Sequence, residues 1–537
     1  MFATAIAKAA FTLFSGARFG FFLGDFRRRR HADRAALEQL HLISRSASSG
    51  RLGDARLGTL EDARRAGLLG GPGGVLVGFL DGHALWYGGP SHLCAFMRMG
   101  AGKASCYIIP NVALCDGESF LVLDSKRAET PFATARRRAV DSGQPLILLN
   151  FWNLLGQGSH SLNILDGLVE AARQGQPVMG LARAVAKRVV TVPEGVRDRW
   201  PYDGAIECIV AVAAYFAHHR RECCNLPDLY IALVKGEDSV ISLLNEIAAS
   251  DSPGGIPGLA ASMVSTLKRD GGMWSGIAQE LRRGLALVAP GEPCAQYMRQ
   301  TDFDPAILKR QPTVAYLMSP MEALGGDAEK LHQIVTEELL RRVAAADGAV
   351  RVNIILDELE TMGSMPGVFD IHQMLRTAGV RLHVLTQSRK KFEAKYSPDT
   401  RESYEGACEI VLACDIEEEG HLRDLEYLAG EVTVRVPTIN ASTGVNGSIG
   451  WTVTEQAVPL LSADAIRRLG PDKMLLRVRG FPMFVVDRVP CYRILETADL
   501  PDIRTIGPST VLELPESIVS QLKKASSTSN SHNAGDA

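Results

Sequence analysis

The sequence predicts an α/β fold in which a parallel sheet carries a phosphate-binding loop and is interrupted by an all-α insertion. Short apolar runs recur at 119–123, 145–149, 313–318, 352–356 and 380–385, separated by stretches of helical spacing, the alternation expected of a parallel sheet. A glycine-rich segment ending in Lys103 lies between one such strand and the next helix. From Leu165 to Gln300 the strand signals fade and apolar residues recur at helical spacing, as in Ala205, Ile209, Val212, Ala213 and Phe216.

Taken in order, residues 70–87 (GGPGGVLVGFLDGHALWY) alternate apolar residues with Gly and Asp-Gly turn signals and read as short strands and a hairpin. Leu93 to Asp124 reads as strand, glycine-rich turn, helix from Ser105 to about Cys115, and strand. The apolar run Cys208–Ala217 is too short to span a bilayer and suits a core helix. After the insertion the sheet resumes, with helices expected near 331–343 and 368–377. Beyond Glu496 the signal weakens, and Ala525–Ala537 is a Ser/Asn-rich tail expected to be disordered.

The chain has 537 residues, enough for two to four domains. A net charge of −3 provides no global basic field for nucleic acid, so any such contact must be local. Arg136–Arg138, Arg220-Arg221, Arg282-Arg283 and Arg389-Lys390-Lys391 are the local basic groups, and Trp200, Tyr202 and Trp274 the aromatics that either stack bases or pack a core. The ten cysteines include no CxxC pair and read as reduced thiols, Cys223 and Cys224 as small apolar residues. Near the N-terminus, Lys8, Arg18 and Asp25 interrupt every run long enough to cross a membrane. Arg27–Arg30 after Phe19, Phe21, Phe22 and Phe26 suit a helix on anionic lipid and, equally, one docked on a partner.

The chemistry concentrates at three strand ends. Gly100, Ala101 and Gly102 let backbone N–H groups converge on phosphate oxygens, the following helix adds its partial positive charge, and Lys103 a full one. Ala104 has no hydroxyl for Mg²⁺; Ser105 is the substitute, turned about 100° further along an ideal helix. The strand 352–356 ends in Asp357-Glu358, which suits one carboxylate for Mg²⁺ or its water and a second to orient or deprotonate the attacking water. Gln387 ends a third strand, where an amide senses phosphate or aligns water or, equally, is a polar loop residue. Asp124, with Ser125, Lys126 and Glu129 beyond it, lies on the same C-terminal rim, where ligands bind in open α/β sheets.

With these elements in order, the sequence resembles the coupling ATPases of type IV secretion, the TraG/TraD-like branch of the FtsK/HerA group of RecA-like motors. The resemblance runs from about Gly53 to Tyr492 through GAGKASCYIIPN, VLDSKRAE, SHSLNILDGL, DFDPAIL, TVAYLMSP, IILDELETMGSMPGV, LRTAGVRLHVLTQS, PLLSADAIRRL and VRGFPMFV. It implies a RecA-like P-loop NTPase domain with an inserted all-α domain, with ATP and Mg²⁺ as cofactors. Lys103 becomes the phosphate lysine, Asp357 and Glu358 the Walker B pair, Gln387 the polar sensor, and Arg376 either an arginine reaching a neighbour's nucleotide or, equally, one on a solvated helix face. The chain departs from the pattern at Ala104, at Arg127-Ala128 and in lacking the usual transmembrane hairpin.

The organisation expected is a membrane-proximal or docking segment (1–35), short strands leading into the nucleotide domain (36–90), a split nucleotide domain (91–164 and 301–495), an all-α substrate-recognition domain (165–300) and a tail (496–537). The resemblance further implies a homo-hexamer on the cytoplasmic face of the inner membrane, held by its surface or by a membrane partner subunit. It would deliver relaxase-bound single-stranded DNA or a secreted protein to the type IV channel components. The alternative is a nucleotide-binding but non-hydrolysing receptor or scaffold of the same apparatus.

Overall fold

The computed structural model describes residues 49–494 except 72, 116, 125–144, 155–157, 194, 270–271, 321–325, 360–363 and 442–448. The N-terminal segment with Arg27–Arg30, the stretch from Ser125 through Glu129 to Arg138, and the C-terminal tail therefore lie outside the described residues.

The described chain forms two compact units, one of residues up to Arg56 with Ala429–Leu460 and one of the remainder. The larger unit is built on an 11-stranded sheet, β1 (Val75–Leu80), β2 (His83–Tyr87), β3 (His92–Met97), β4 (Ser119–Asp124), β5 (Leu146–Leu149), β6 (Val314–Met318), β7 (Val352–Leu356), β8 (Val380–Thr386), β9 (Cys408–Cys414), β12 (Lys473–Val478) and β13 (Phe484–Asp487). Their spatial order is β2-β1-β13-β12-β9-β3-β8-β7-β4-β6-β5. From β9 to β5 every neighbouring pair is parallel; from β9 through β12, β13 and β1 to β2 every pair is antiparallel. The expected α/β class and all of its predicted parallel strands are thus present, and the 70–87 hairpin is an edge of the same sheet.

Strands covered on both faces must be apolar throughout. β3, β5, β6, β7 and β8 are buried along their whole length, and the apolar runs in the sequence have that cause. Their polar exceptions are bonded to one another: Arg381 donates to Glu118 and Asn353, and the His383 ring bridges Asn353 to the Tyr107 hydroxyl. This network lies toward the N-terminal ends of β7 and β8, away from the rim on which the sequence places its chemistry.

Between β5 and β6 the described residues form helices without strands. They include α2 (Asp166–Arg173), α3 (Met179–Val189), α4 (Trp200–His219), α5 (Leu226–Val234), α6 (Glu237–Ala248), α7 (Ile256–Arg269) and α8 (Met273–Leu285), which follow α1 (Ile109–Leu114) in the chain. A helix that is apolar on all sides must be enclosed. α4 is buried at every position from Ala205 to Ala217 except Glu207, so Cys208–Ala217 is a core helix. No described helix is long and apolar enough to cross a membrane.

The smaller unit holds an antiparallel ribbon, β10 (Glu431–Ala441) and β11 (Ile449–Pro459), paired from Glu431↔Pro459 to Ala441↔Ile449. The chain at 53–54 lies along β10 through the Asp54↔Val432 bridge and the Thr433 N–H to Gly53 O bond. A Cβ on Gly53 would stand 2.3 Å from the Glu431 carbonyl oxygen, so only glycine fits there.

The structure corrects several local expectations. The helix after the loop begins at Lys103 rather than Ser105, as a π-helix (Lys103–Ile108) that passes into α1. Arg389 is no surface cation. It is buried and bonded to Glu405 and Asp424, leaving Lys390 and Lys391 exposed. Trp274 is buried, whereas Trp200 is exposed and packs where a side chain on Gly276 would stand. All ten cysteines are free; Cys224 is buried, but Cys223 is only half-buried.

Candidate nucleotide site

The three strands that carry the expected chemistry end side by side. Met97 closes β3 in register with Cys414 of β9, Phe96 pairs with Thr386 of β8, and β8 pairs with β7. The loop after β3 therefore opens on the same rim as Asp357, Gln387 and Asp415, each the first residue after its strand.

Within the loop Gly100 and Gly102 have φ of +81° and +79°, a region that non-glycine residues enter at a cost. No atom lies within 4 Å of where a Cβ on Gly100 would be, whereas one on Gly102 would stand 2.8 Å from Cys106 Sγ. Gly102 is the N-cap of the π-helix, and its carbonyl accepts from the Cys106 N–H at 2.7 Å. The Asn111 side chain exchanges two hydrogen bonds with the Leu76 backbone and ties the helix that follows the loop to β1.

Lys103 is almost wholly buried. Its Nζ lies 3.7 Å from Glu358 Oε1 and donates to the Met97 carbonyl at 3.4 Å. A buried ammonium needs a compensating charge, and here the compensation comes from the second carboxylate after β7. Glu358 sits at φ +54°, a left-handed conformation in a glutamate, and Asp357 beside it is buried. Such backbone strain persists where the surroundings impose it and concentrates at functional positions.

The remaining expected residues are distributed as follows. Ala101 and Ala104 are buried, and Ser105 is half-buried with its Oγ 3.7 Å from Cys106 Sγ. Gln387 accepts a hydrogen bond from Lys391 through its side-chain oxygen. Asp124 is the last residue of β4, and its side chain lies outside the described residues. Arg376 is exposed on a short helix (His372–Thr377), and its guanidinium has no partner among the described residues, so nothing joins it to the Lys103–Glu358 pair. For Mg²⁺, Asp357 and Ser105 are hard oxygen donors of the right kind. Among the described residues no group of three His, Cys, Asp or Glu could hold a metal. Mg²⁺ usually takes one or two carboxylates and completes its shell with phosphate oxygens and water.

The sequence reading does not include Arg488, directly after β13. Its guanidinium donates to the Ala101 carbonyl, to Asp415 Oδ2 at 3.3 Å and to the Pro471 carbonyl, so it pins the loop to the end of β9. The available signal was an apolar strand, Phe484–Val486, ending in the charged pair Asp487-Arg488, the same signature that marks Asp357-Glu358.

Known proteins resemble this chain in sequence and fold. The family model described as type IV secretory system conjugative DNA transfer matches residues 60–534. The type IV secretion system-coupling protein VirD4 of Bartonella quintana (strain Toulouse) is 20% identical over 423 residues, which is 75% of this chain and 63% of that protein. The chain thus spans less than two thirds of that relative's length. The bacterial conjugative coupling protein TrwBdeltaN70, in its unbound monoclinic form, superposes with a TM-score of 0.55 at 12% identity, covering 83% of this chain and 96% of that one. TrwB in complex with the non-hydrolysable ATP analogue ADPNP gives 0.56 at the same identity and coverage. TrwB with ADP and Mg²⁺ gives 0.55, covering 81% and 93%. At this identity the likeness is one of fold, and it bears out the RecA-like α/β core with its helical insertion. Because the family model spans nearly all of the chain from Leu60 onward, this protein belongs to the type IV secretory system conjugative DNA transfer family.

Proposed function

We propose that this chain is the coupling ATPase of a type IV secretion or conjugation apparatus, binding ATP with Mg²⁺ and using its hydrolysis to deliver DNA or protein to the channel. The observation that carries the reading is the 3.7 Å pair between Lys103, in a glycine loop, and Glu358, at the end of a strand two places away in the sheet. Lys103 neutralises the phosphates, with the loop N–H groups around them. Asp357 and Ser105 would hold Mg²⁺, whose chemistry there would be to shield the phosphate charge. Glu358 orients and deprotonates the attacking water, and Gln387 aligns it. The Lys103–Glu358 pair is one for which phosphates would compete, and a lysine drawn toward them would leave the carboxylate to act as a base.

The same reading assigns the helical segment 165–300 to substrate selection and Arg376 to a neighbouring subunit's nucleotide in a homo-hexamer. It places the assembly at the cytoplasmic face of the inner membrane, in contact with the channel components, with relaxase-bound single-stranded DNA or a secreted protein as cargo. One observation favours the alternative of a nucleotide-binding receptor that does not turn over: Ala104 is buried and has no hydroxyl where a Mg²⁺ ligand is usual.

Steady-state ATP hydrolysis with Mg²⁺, with and without single-stranded DNA, separates the two. DNA-stimulated turnover that vanishes in Lys103→Ala and falls at least about 100-fold in Glu358→Gln, with ATP still bound by the latter, is the expected result. Binding without turnover in the unmodified protein establishes the receptor reading.

A further inference from the structure

Beside the phosphate loop the same rim opens into a cleft of about 350 Å³. Three strand ends form it: Arg98 after β3, Gln387 with Lys390 and Lys391 after β8, and the turn after β9 that leads to Glu418 and His421. Its volume is that of a small-molecule site.

The floor and the mouth of this cleft differ in chemistry. His421 is almost wholly buried, edge-on to Phe96 at 4.7 Å, and neither of its ring nitrogens has a hydrogen-bond partner among the described residues. Glu418 Oε2 is likewise buried without one. Buried polar atoms are almost always satisfied, and leaving one unpaired is costly. Burial, with the nearby Arg389 and Arg401 guanidinium groups adding to it, pushes the His421 imidazole down to about 3, so the ring is neutral and keeps a lone pair. The floor thus offers two acceptors, a carboxylate oxygen and an imidazole nitrogen. At the mouth Arg98, Lys390 and Lys391 are exposed cations beside the exposed carboxylates Asp415 and Glu417; Arg98 pairs with Glu417 at 3.7 Å and Asp415 with Arg488, which leaves the two lysines to meet an anion.

A molecule that satisfies both ends has hydroxyl or amine donors on one part and negative charge on another. A vicinal diol supplies two donors to two acceptors, and a carboxylate is a recurrent partner of ribose hydroxyls. We propose that this cleft binds the nucleoside part of a ribonucleotide, with Glu418 and His421 accepting hydrogen bonds from its ribose hydroxyls while its phosphates extend onto the Gly100–Lys103 loop. The inference rests on the nucleotide reading of that loop and adds to it residues that discriminate ribonucleotides from 2′-deoxyribonucleotides and from bare polyphosphate.

Calorimetric titration of the full chain with ATP, 2′-deoxy-ATP and inorganic tripolyphosphate tests it, using Glu418→Gln, His421→Phe and Lys103→Ala. ATP should bind about tenfold more tightly than 2′-deoxy-ATP, roughly the worth of one hydrogen bond to a charged group. Of Glu418→Gln and His421→Phe, the one that removes the partner of the 2′-hydroxyl should reduce that preference to less than about twofold, neither should change tripolyphosphate affinity, and Lys103→Ala should weaken all three ligands. Equal affinity of the unmodified protein for ATP and 2′-deoxy-ATP, or a preference that survives both cleft variants, overturns the inference and leaves the phosphate loop standing. Failure of tripolyphosphate and both nucleotides to bind the unmodified protein overturns the nucleotide reading with it. A single-stranded oligonucleotide whose affinity falls in Lys390→Ala and Lys391→Ala, with ATP binding unchanged in the Glu418 and His421 variants, assigns the cleft to nucleic-acid phosphates instead.

Discussion

Arg381 occupies the second position of β8 with no exposed surface, and its charge is balanced inside the sheet. It lies 3.1 Å from Glu118 Oε2, donates to Asn353 Oδ1 at 2.9 Å and to the Gly89 carbonyl, and Glu118 also takes Arg351 at 3.2 Å. Removing one partner of a buried pair strands the other charge, at a cost of about 3–5 kcal/mol. Arg381→Ala should therefore lower the urea midpoint by that equivalent, and adding Glu118→Gln should recover part of it; a loss below about 1 kcal/mol would show that the pair is not desolvated. The network was not legible in sequence because Glu118, Asn353 and Arg381 meet only through the strand order β8-β7-β4. Lys103, Asp357 and Glu358 were legible because each is announced locally, by glycines before a helix or by carboxylates ending an apolar run. Arg488 also ends an apolar run in a charged pair and so had a local signal, whereas His421 and Glu418 have none, and the rim draws on residues as far apart as Arg98 and Arg488.

Among elements, the phosphate loop and its π-helix make a comparison between two glycines with nearly equal φ. Gly100→Ala adds a methyl to open space and bears the left-handed penalty alone, about 1–2 kcal/mol. Gly102→Ala bears the same penalty and in addition places its Cβ 2.8 Å from Cys106 Sγ and 3.2 Å from Ser105 Oγ, so the first turn of the π-helix must move. Gly102→Ala should lower the melting temperature more than Gly100→Ala and weaken ATP by a further factor of ten or so, measured by thermal shift with and without nucleotide. Equal effects would place the constraint in φ alone. The legibility of the elements themselves followed their environment. β4 to β8 are apolar runs set off by turns or by polar helices, whereas β9 begins directly after the helix Pro398–Ala407, whose Gly406 lies inside its last turn, with no intervening turn segment. β10 contains Pro437 and alternates polar with apolar residues, which demotes it as a strand candidate until its ribbon partner is known.

Across the whole larger unit, several histidines are folded in their neutral form, and this sets how its stability responds to acid. Burial pushes His92 and His332 down to about 4 and His421 to about 3, and holds His383 well below its ordinary value. Their hydrogen bonds suit neutral rings: His92 accepts from the Leu382 N–H, His332 pairs with Ser319 Oγ at 2.9 Å, and His383 bridges Tyr107 and Asn353. In the unfolded chain the same groups take up protons near pH 6.5, so below that pH the unfolded state binds more protons than the folded one. Their contribution is complete above about pH 6.5 and is lost as pH falls toward the folded values, at about 1.4 kcal/mol per pH unit for each histidine. Urea midpoints should accordingly be flat from about pH 8 to pH 7 and decline steeply from about pH 6 to pH 4.5, ahead of the ordinary carboxylate range. His332→Gln keeps a group able to bond Ser319 and removes one titration, so its slope over that interval should be shallower by about one proton. An unchanged slope would mean that His332 is protonated in the folded chain, and that the Ser319 hydroxyl accepts its N–H.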